Sequence, residues 1–124
     1  MEVQSITPIL RMFDYAKAKE FYIDWLGFKI DWEHRFDENA PLYVQVSGYG
    51  TRLHLSEHHG DGTPGTHLHV TCTGVKEFHQ MLIDKNYKYG RPGLEETFYD
   101  TWSVTLHDPF GNQLIFDEYK KTNK

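Results

Sequence analysis

The alternation of hydrophobic and polar residues divides the chain into short strands and two amphipathic helices. The first helix is predicted within FDYAKAKEFYIDWLGFKI, residues 13–30, where apolar residues recur at the three- and four-residue spacing of one helix face. Asp14 is suited to cap the start of this helix, and Gly27 is suited to end it. The second helix is predicted by the same spacing within TGVKEFHQMLIDKNYKYG, residues 73–90.

Short runs that alternate in polarity surround both helices and predict strands. One strand precedes each helix, within ITPILRMF at 6–13 and THLHVTCT at 66–73. Three more follow the first helix, within FKIDWEHRF, LYVQVSG and TRLHLSE, and three follow the second, within GLEETFYD, WSVTLHD and NQLIFDEY. The chain is therefore predicted to be an α+β protein in which the order βαβββ occurs twice.

The two halves also match in residue type. EFYIDWL at 20–26 corresponds to EFHQMLI at 77–83, and the strongest glycine- and proline-rich segment, GDGTPG at 60–65, lies between the halves. We therefore predict a tandem repeat within a single domain, residues 1–124. Its βαβββ modules span about 5–58 and 66–119, joined by a linker at 59–65.

Alternation along the strands assigns apolar residues to the side covered by the helices and polar residues to the other face. His54 opposes its apolar neighbours on one strand, and His67 and His69 oppose theirs on another. A second face lined by histidine, glutamine, tyrosine and arginine favours a cupped mixed sheet that holds a ligand. His58 and His59 fall in the glycine-rich loop and are expected to be solvent-exposed.

Composition and charge narrow the location and the partners. The formal net charge is −5, which argues against nucleic acid and is compatible with a cationic ligand. The single cysteine, Cys72, excludes an intrachain disulfide and fits a reducing compartment. No signal-peptide pattern is evident, and no apolar run approaches the roughly 20 residues of a membrane helix. We expect a cytoplasmic protein with no nucleic-acid or membrane partner.

Two segments resemble a known family. RMFDYAKAKEFYIDWLGFKI, 11–30, resembles the opening helix and second strand of the glyoxalase/bleomycin-resistance group of the vicinal-oxygen-chelate (VOC) superfamily. LHDPFGNQLIF, 106–116, resembles that group's turn into its last strand. The resemblance implies a glyoxalase/bleomycin resistance/dihydroxybiphenyl dioxygenase-like fold, with paired βαβββ modules forming a U-shaped cup, usually in a homodimer. Asp108–Asn112 itself is typical of a tight structural turn.

The resemblance also implies where metal ligands would lie. In metal-dependent members they are His, Glu or Gln on four strands, and those places fall here at Thr7, His54, His67 and Ile115. Threonine is a poor ligand and isoleucine is none, whereas a catalytic divalent metal generally needs about three protein ligands. We therefore predict no metal, no cofactor and no catalytic residue. The alternative is a metal-dependent lyase, isomerase or dioxygenase using His54 and His67, with His69 as an improvised third ligand.

Aromatic and acidic residues alternate in DWEHRFDE at 31–38 and EETFYDTW at 95–102. Flat rings can stack on planar ligands and hold cations over their faces. In the resembling family, bleomycin-resistance proteins capture a cationic glycopeptide between acidic and aromatic walls. The predicted function is small-molecule binding, with antibiotic resistance by sequestration of a ligand such as bleomycin; an unrelated metabolite ligand is the alternative. The predicted ligand-binding residues are Trp32, Phe36, Tyr43, His54, His67, His69, Phe98 and Trp102.

Overall fold

The computed structural model describes residues 1–120 of the 124-residue chain. The strands are β1 Ile9–Arg11, β2 Lys29–His34, β3 Tyr43–Gly48, β4 Thr51–Ser56, β5 His67–Thr71, β6 Glu95–Glu96, β7 Thr101–His107 and β8 Gln113–Tyr119. The helices are α1 Tyr15–Lys19, which continues as a π-helical segment Glu20–Trp25, and α2 Val75–Asp84. None of the helices in this described part is both long and apolar enough to cross a membrane.

The chain forms two compact units, Met1–Thr66 (unit 1) and the part from His67 onward (unit 2). Each contains a four-stranded sheet, in the order β1-β4-β3-β2 in unit 1 and β5-β8-β7-β6 in unit 2. The first pair in each sheet is parallel and the others are antiparallel, so both sheets are mixed. The predicted α+β class, with one strand, one helix and three strands repeated, is confirmed.

The first helix begins and ends where the pattern predicts. The Asp14 side chain accepts a hydrogen bond from the Lys17 amide at 3.2 Å, and Gly27 leaves the helix with a φ of 91°. Its apolar face is fully buried, with the Phe21 and Tyr22 rings edge to face at 4.7 Å. The π-helical turn was not predicted; it is recorded by the 2.9 Å bond from the Leu26 amide to the Phe21 carbonyl.

In unit 2, helix α2 packs its apolar side onto the sheet. Val75 and Leu82 have no exposed surface, and the ring centroids of Phe78 and of Phe116 in β8 are 4.7 Å apart. The strand predicted within GLEETFYD is much shorter than its pattern, because only Glu95–Glu96 pair with β7. The residues that follow turn the chain back into β7.

A β-bulge at Asp31 changes which side chains face away from the helices. The pairing of β2 with β3 shifts between Ile30, opposite Val46, and Trp32, opposite Gln45. Strict alternation from the half-buried Ile30 would turn Trp32 towards the helix side, whereas the extra residue returns it to the polar face. Glu33 is correspondingly turned to the helix side, where it accepts a 2.5 Å hydrogen bond from Tyr15 of α1.

The turn at Asp108–Asn112 has the structural role predicted for it. One Asp108 carboxylate oxygen accepts hydrogen bonds from the Phe110 and Asn112 amides, both at 2.8 Å. Gly111 has a φ of 89°, in the region that favours glycine. The motif therefore closes the connection between β7 and β8.

Candidate functional site

The polar face of the unit 1 sheet carries an open groove of about 620 Å³, which we call the aromatic groove. Strands β2 and β3 supply one part of its wall, and the loop after β4 supplies the other. Its lining residues are Trp32, Glu33, His34, Phe36, Tyr43, His58 and Asp61.

The rings of this groove are arranged to leave aromatic surface open. Trp32 and Tyr43 are stacked, with centroids 6.0 Å apart and planes 9° from parallel. Phe36 stands edge-on to His34 at 4.7 Å and to His58 at 5.8 Å. Trp32 and Phe36 are 41% and 76% exposed, so both can stack on a flat ligand.

Polar groups in the groove add charge and an unmet hydrogen bond. The Asp61 carboxylate accepts a 2.9 Å hydrogen bond from Ser56, and burial together with this carboxylate raises the pKa of Tyr43. The Nε2 atom of His58 is buried and has no hydrogen-bond partner within residues 1–120. A buried polar atom left unsatisfied costs about 1–3 kcal/mol, and because this nitrogen has almost no solvent-accessible surface, a ligand in the groove does not reach it.

Beside the groove, His54 is held in a directed hydrogen-bond chain. Its Nε2 lies 2.9 Å from the Gln45 amide oxygen and its Nδ1 lies 2.7 Å from the Tyr43 hydroxyl. Because an amide oxygen only accepts, Nε2 carries the proton and Nδ1 accepts from Tyr43. Burial, followed by the charge of Arg52, lowers the pKa of His54 and favours this neutral form.

The hydrogen-bond chain through His54 continues to the bulge at Asp31 and holds the groove wall in place. The Gln45 amide nitrogen donates to one oxygen of Asp31 and the Ser47 hydroxyl donates to the other, both at 3.0 Å. These contacts lower the pKa of Asp31, Gln45 being the largest cause. His54 uses both ring nitrogens inside the protein, so it supports the stacked rings and has no nitrogen left for a metal.

A second open groove, of about 740 Å³, lies near the opposite end of β4 and has mainly polar walls, including Lys29, Asp31 and Arg52. The Arg52 guanidinium donates to the Thr7 hydroxyl at 3.0 Å and to Ser5. Thr7, at one of the implied metal-ligand places, is therefore bonded to a cation, which disfavours a metal ion there.

The polar face of the unit 2 sheet carries a histidine on a buried carboxylate. Asp117 is only 3% exposed and accepts hydrogen bonds from His69 Nδ1 at 2.6 Å, Tyr99 at 3.0 Å and Ser103 at 2.5 Å. Burial by itself would raise the pKa of Asp117, but the bonds from Ser103, His69 and Tyr99 outweigh burial and lower it. The carboxylate is thus ionised and aims the imidazole.

Residues 1–123 match a protein family described as glyoxalase superfamily protein. The chain belongs to the glyoxalase superfamily. The match therefore spans both units.

Solved structures share the fold of this superfamily member. A bleomycin resistance determinant encoded on the transposon Tn5 is 20% identical, with 96% of this chain and 100% of that chain covered and a TM-score of 0.72. A bleomycin-binding protein complexed with bleomycin is 20% identical, with 95% and 100% covered and a TM-score of 0.71. TnmS3, an antibiotic binding protein from Streptomyces sp. CB03234, is 16% identical, with 97% and 99% covered and a TM-score of 0.72. Among curated proteins, none matches this sequence.

In this glyoxalase-superfamily chain, half of the predicted ligand-binding residues lie together in unit 1. Trp32, Phe36 and Tyr43 line the aromatic groove, and His54 lies behind Tyr43 in contact with it. The ligand roles assigned to all eight predicted residues remain predictions.

The other predicted residues belong to unit 2 and are more dispersed. His67 and His69 share one face of β5, and Phe98 is 99% exposed beside Tyr99. Trp102 lies on the helix side of β7, with the Lys76 ammonium of α2 4.5 Å and the Lys120 ammonium 5.3 Å from its ring centroid. The ring that was predicted to stack on a ligand thus has two ammonium groups close to it.

Side chains that could bind a metal are dispersed in the described part of this superfamily member. Within residues 1–120, no three side chains of His, Cys, Asp or Glu are grouped closely enough to hold a metal ion. Ile115 occupies the implied ligand place on β8 and is 8% exposed.

The expectation for His58 was wrong, although His59 is exposed as expected. The loop folds back so that the His58 amide donates to the buried Ser56 hydroxyl, which places the imidazole in the aromatic groove. Sequence reasoning also missed Asp61 and Asp117. The serine before the loop and the aspartate three residues after His58 are consistent with a closed turn, and this signal could have been used.

Proposed function

We propose that this protein binds a small organic molecule that carries a flat ring and a positive charge. The aromatic groove carries this proposal. Its open Trp32 and Phe36 rings offer stacking area, and the stacked Tyr43 keeps Trp32 in place.

The charge of the ligand follows from the groove walls. The carboxylate that faces the groove is that of Asp61, since the Glu33 carboxylate is turned to the helix side and bonded to Tyr15; the whole chain has a formal charge of −5. An aromatic face also attracts a cation within about 6 Å of its centroid. Stacking supplies area, and the Asp61 carboxylate together with the net negative charge supplies attraction that dissolved salt weakens.

A cationic glycopeptide antibiotic of the bleomycin type is the ligand we propose first, with resistance by sequestration and no chemical turnover. The fold supports this choice because a bleomycin-binding protein complexed with bleomycin and a bleomycin resistance determinant share it.

We also propose a cytoplasmic homodimer. Light scattering should then give about twice the chain mass of 14.6 kDa, and a monomer at micromolar concentration would contradict the dimer.

Titration calorimetry with bleomycin and phleomycin tests the proposed function. Binding is expected at low salt and should weaken as salt rises past about 0.15 M, where the screening length is roughly 8 Å. Trp32→Ala and Phe36→Ala should each weaken binding by about 1–3 kcal/mol, because each ring loses its contact with the ligand. Trp102→Ala is the matched control, since its ring is covered by Lys76 and Lys120.

Two results would reject the proposal in different ways. No heat with either drug would exclude bleomycin-type ligands. If Trp102→Ala weakens binding and Trp32→Ala leaves it unchanged, the ligand site is not the aromatic groove. The site then lies in unit 2, where the sequence analysis predicted Trp102 to contact the ligand.

A further inference from the structure

The pair formed by His69 and Asp117 has no part in the proposed binding function. The 2.6 Å bond joins His69 Nδ1 to a carboxylate that has almost no contact with solvent. The His69 side chain, in contrast, is 59% exposed. A surface imidazole is thus anchored at one nitrogen by a buried anion.

This contact determines which proton the imidazole holds. An ionised carboxylate can only accept hydrogen bonds, so Nδ1 must carry the proton. In neutral His69, Nε2 is then an acceptor with a free lone pair. Within residues 1–120, this nitrogen makes no hydrogen bond, so it is available to a molecule from solution.

The surroundings stabilise the state that follows proton uptake. An imidazolium at His69 would lie against the ionised Asp117, whose charge is already held by Tyr99 and Ser103. The Tyr99 ring stands edge-on at 6.2 Å from His69, and the exposed Phe98 ring adjoins it. The site therefore combines a proton acceptor with apolar surface for a flat molecule.

We infer that His69 is a general base, positioned by Asp117, for a flat aromatic ligand that carries a weakly acidic O–H or C–H group. In the step, the ligand's O–H or C–H bond breaks and its electron pair stays with the ligand. The proton forms the N–H bond at Nε2, and Asp117 stabilises the resulting imidazolium while remaining ionised.

The locked tautomer can be observed directly. Under conditions where the imidazole is neutral, long-range proton–nitrogen NMR correlations should show His69 as the Nδ1–H form, with Nε2 unprotonated. Asp117→Asn provides the conservative change, because its amide oxygen can keep Ser103 and Tyr99 while its NH₂ group donates to His69 Nδ1. The proton must then move to Nε2, and the acceptor is lost. An Nε2–H tautomer in the wild-type protein would overturn the inference.

Activity as a base is measured with 5-nitrobenzisoxazole, a flat probe whose ring opening needs only proton removal. The base takes the C3 proton, the C–H electrons form the nitrile as the N–O bond breaks, and the oxygen leaves as a coloured phenolate. His69→Ala should reduce the protein-catalysed rate by about 100-fold, the lower end of what a positioned base supplies. Asp117→Asn should lower kcat with little change in KM.

Matched variants distinguish this role from a structural one. Tyr99→Phe keeps the ring and the His69–Asp117 bond but removes one of the three donors to Asp117, so it should lower the rate less than His69→Ala does. His107→Ala removes another exposed histidine of unit 2 and should have no effect. A wild-type rate no higher than that of His69→Ala would reject the general base, whatever the outcome of the drug titrations. Since His69 is exposed, that variant is informative even if Asp117→Asn unfolds.

Discussion

Unit 1 and unit 2 share a strand order but use equivalent positions differently. Ile9 and His69 each lie five residues before the N-cap of the following helix, Asp14 and Gly74. Ile9 pairs with His54, and His69 pairs with Ile115. An imidazole in one unit therefore corresponds to an isoleucine in the other, and the two histidines lie on different strands.

The same exchange affects the hydrogen bonds. His54 uses both ring nitrogens in hydrogen bonds to Tyr43 and Gln45, whereas His69 uses one ring nitrogen in a hydrogen bond to Asp117. Two residues further along these last strands, unit 1 has a buried serine, Ser56, where unit 2 has Asp117. The neutral Ser56 holds the loop that lines the aromatic groove. The ionised Asp117 orients His69, whose Nε2 makes no hydrogen bond within residues 1–120. Under the two proposals, one repeated fold provides a binding surface in one unit and a proton acceptor in the other.

The largest expected effect contrasts these two buried positions. Asp117→Ala should lower the free energy of unfolding by about 3 kcal/mol, because it removes three hydrogen bonds to a charge and leaves the buried Ser103 hydroxyl with Thr101 as its remaining partner. Ser56→Ala, the matched change in unit 1, should cost about 1 kcal/mol, since it loses a bond to Asp61 and one from the His58 amide. Urea unfolding measures both.

Acid should reduce the difference between wild type and Asp117→Ala. The folded pKa of Asp117 is lowered, so it lies below the unfolded value of about 3.9. Stability from this shift is fully present above about pH 4 and is lost as pH falls through the folded pKa. Equal costs for Asp117→Ala and Ser56→Ala, or a cost that does not shrink in acid, would contradict the contrast between the units.

A smaller effect is expected where the groove loop of unit 1 crosses β1. Gly62 has a φ of 73°, and a Cβ there would lie 2.8 Å from the Ile9 carbonyl oxygen. Gly62→Ala should therefore cost about 2–3 kcal/mol, combining left-handed strain with a backbone clash. Gly60→Ala, with a φ of 95° but nothing within 4 Å, should cost only about 1–2 kcal/mol.

The same substitution separates the two units. Moving the loop displaces His58 and Asp61, so Gly62→Ala should weaken drug binding and leave the NMR tautomer of His69 unchanged. Thermal unfolding and calorimetry measure the effects. Equal costs for the two glycine substitutions would show that the close approach to β1 does not matter.

Local patterns were sufficient to predict the repeated fold, and the reason is periodicity. The cap at Asp14, the stop at Gly27 and the apolar spacing between them are all local signals, and the structure has each of them. The Asp108–Asn112 turn was equally readable because its hydrogen bonds stay within the motif. Strand β6, although short, still follows α2 and precedes β7, as the pattern predicted.

The candidate sites were less predictable because they depend on register and long-range contact. The bulge at Asp31 returns Trp32 to the polar face, and no residue type in β2 announces an extra residue there. Asp117 belongs to no motif in the sequence. It is kept buried and ionised by hydrogen bonds from three partners that are distant in sequence. Trp102 matched the pattern of a ligand contact, but its neighbour on α2, Lys76, could only be found from the fold.

The smallest expected effect concerns the titration of His54, which marks how the two histidines differ. Its pKa is lowered by burial and then by Arg52, so the imidazole C2 proton should titrate with a midpoint below about 6.5, the ordinary value. Because the folded pKa is the lower one, the unfolded chain binds the proton first. The associated stability is present above about pH 6.5 and is lost as pH falls towards the folded pKa.

Arg52→Met distinguishes the two causes of this shift. Removing the guanidinium charge should raise the His54 midpoint, but the midpoint should stay below the ordinary value because burial, the larger cause, is unchanged. Tyr43→Phe is the complementary change, since it removes the donor to Nδ1 and leaves the ring in place. A midpoint that does not move in Arg52→Met would assign the whole shift to burial. A wild-type midpoint at or above about 6.5 would mean that the Tyr43–His54–Gln45 chain does not hold the imidazole neutral, and the contrast with the carboxylate-bound His69 would then lose its unit 1 side.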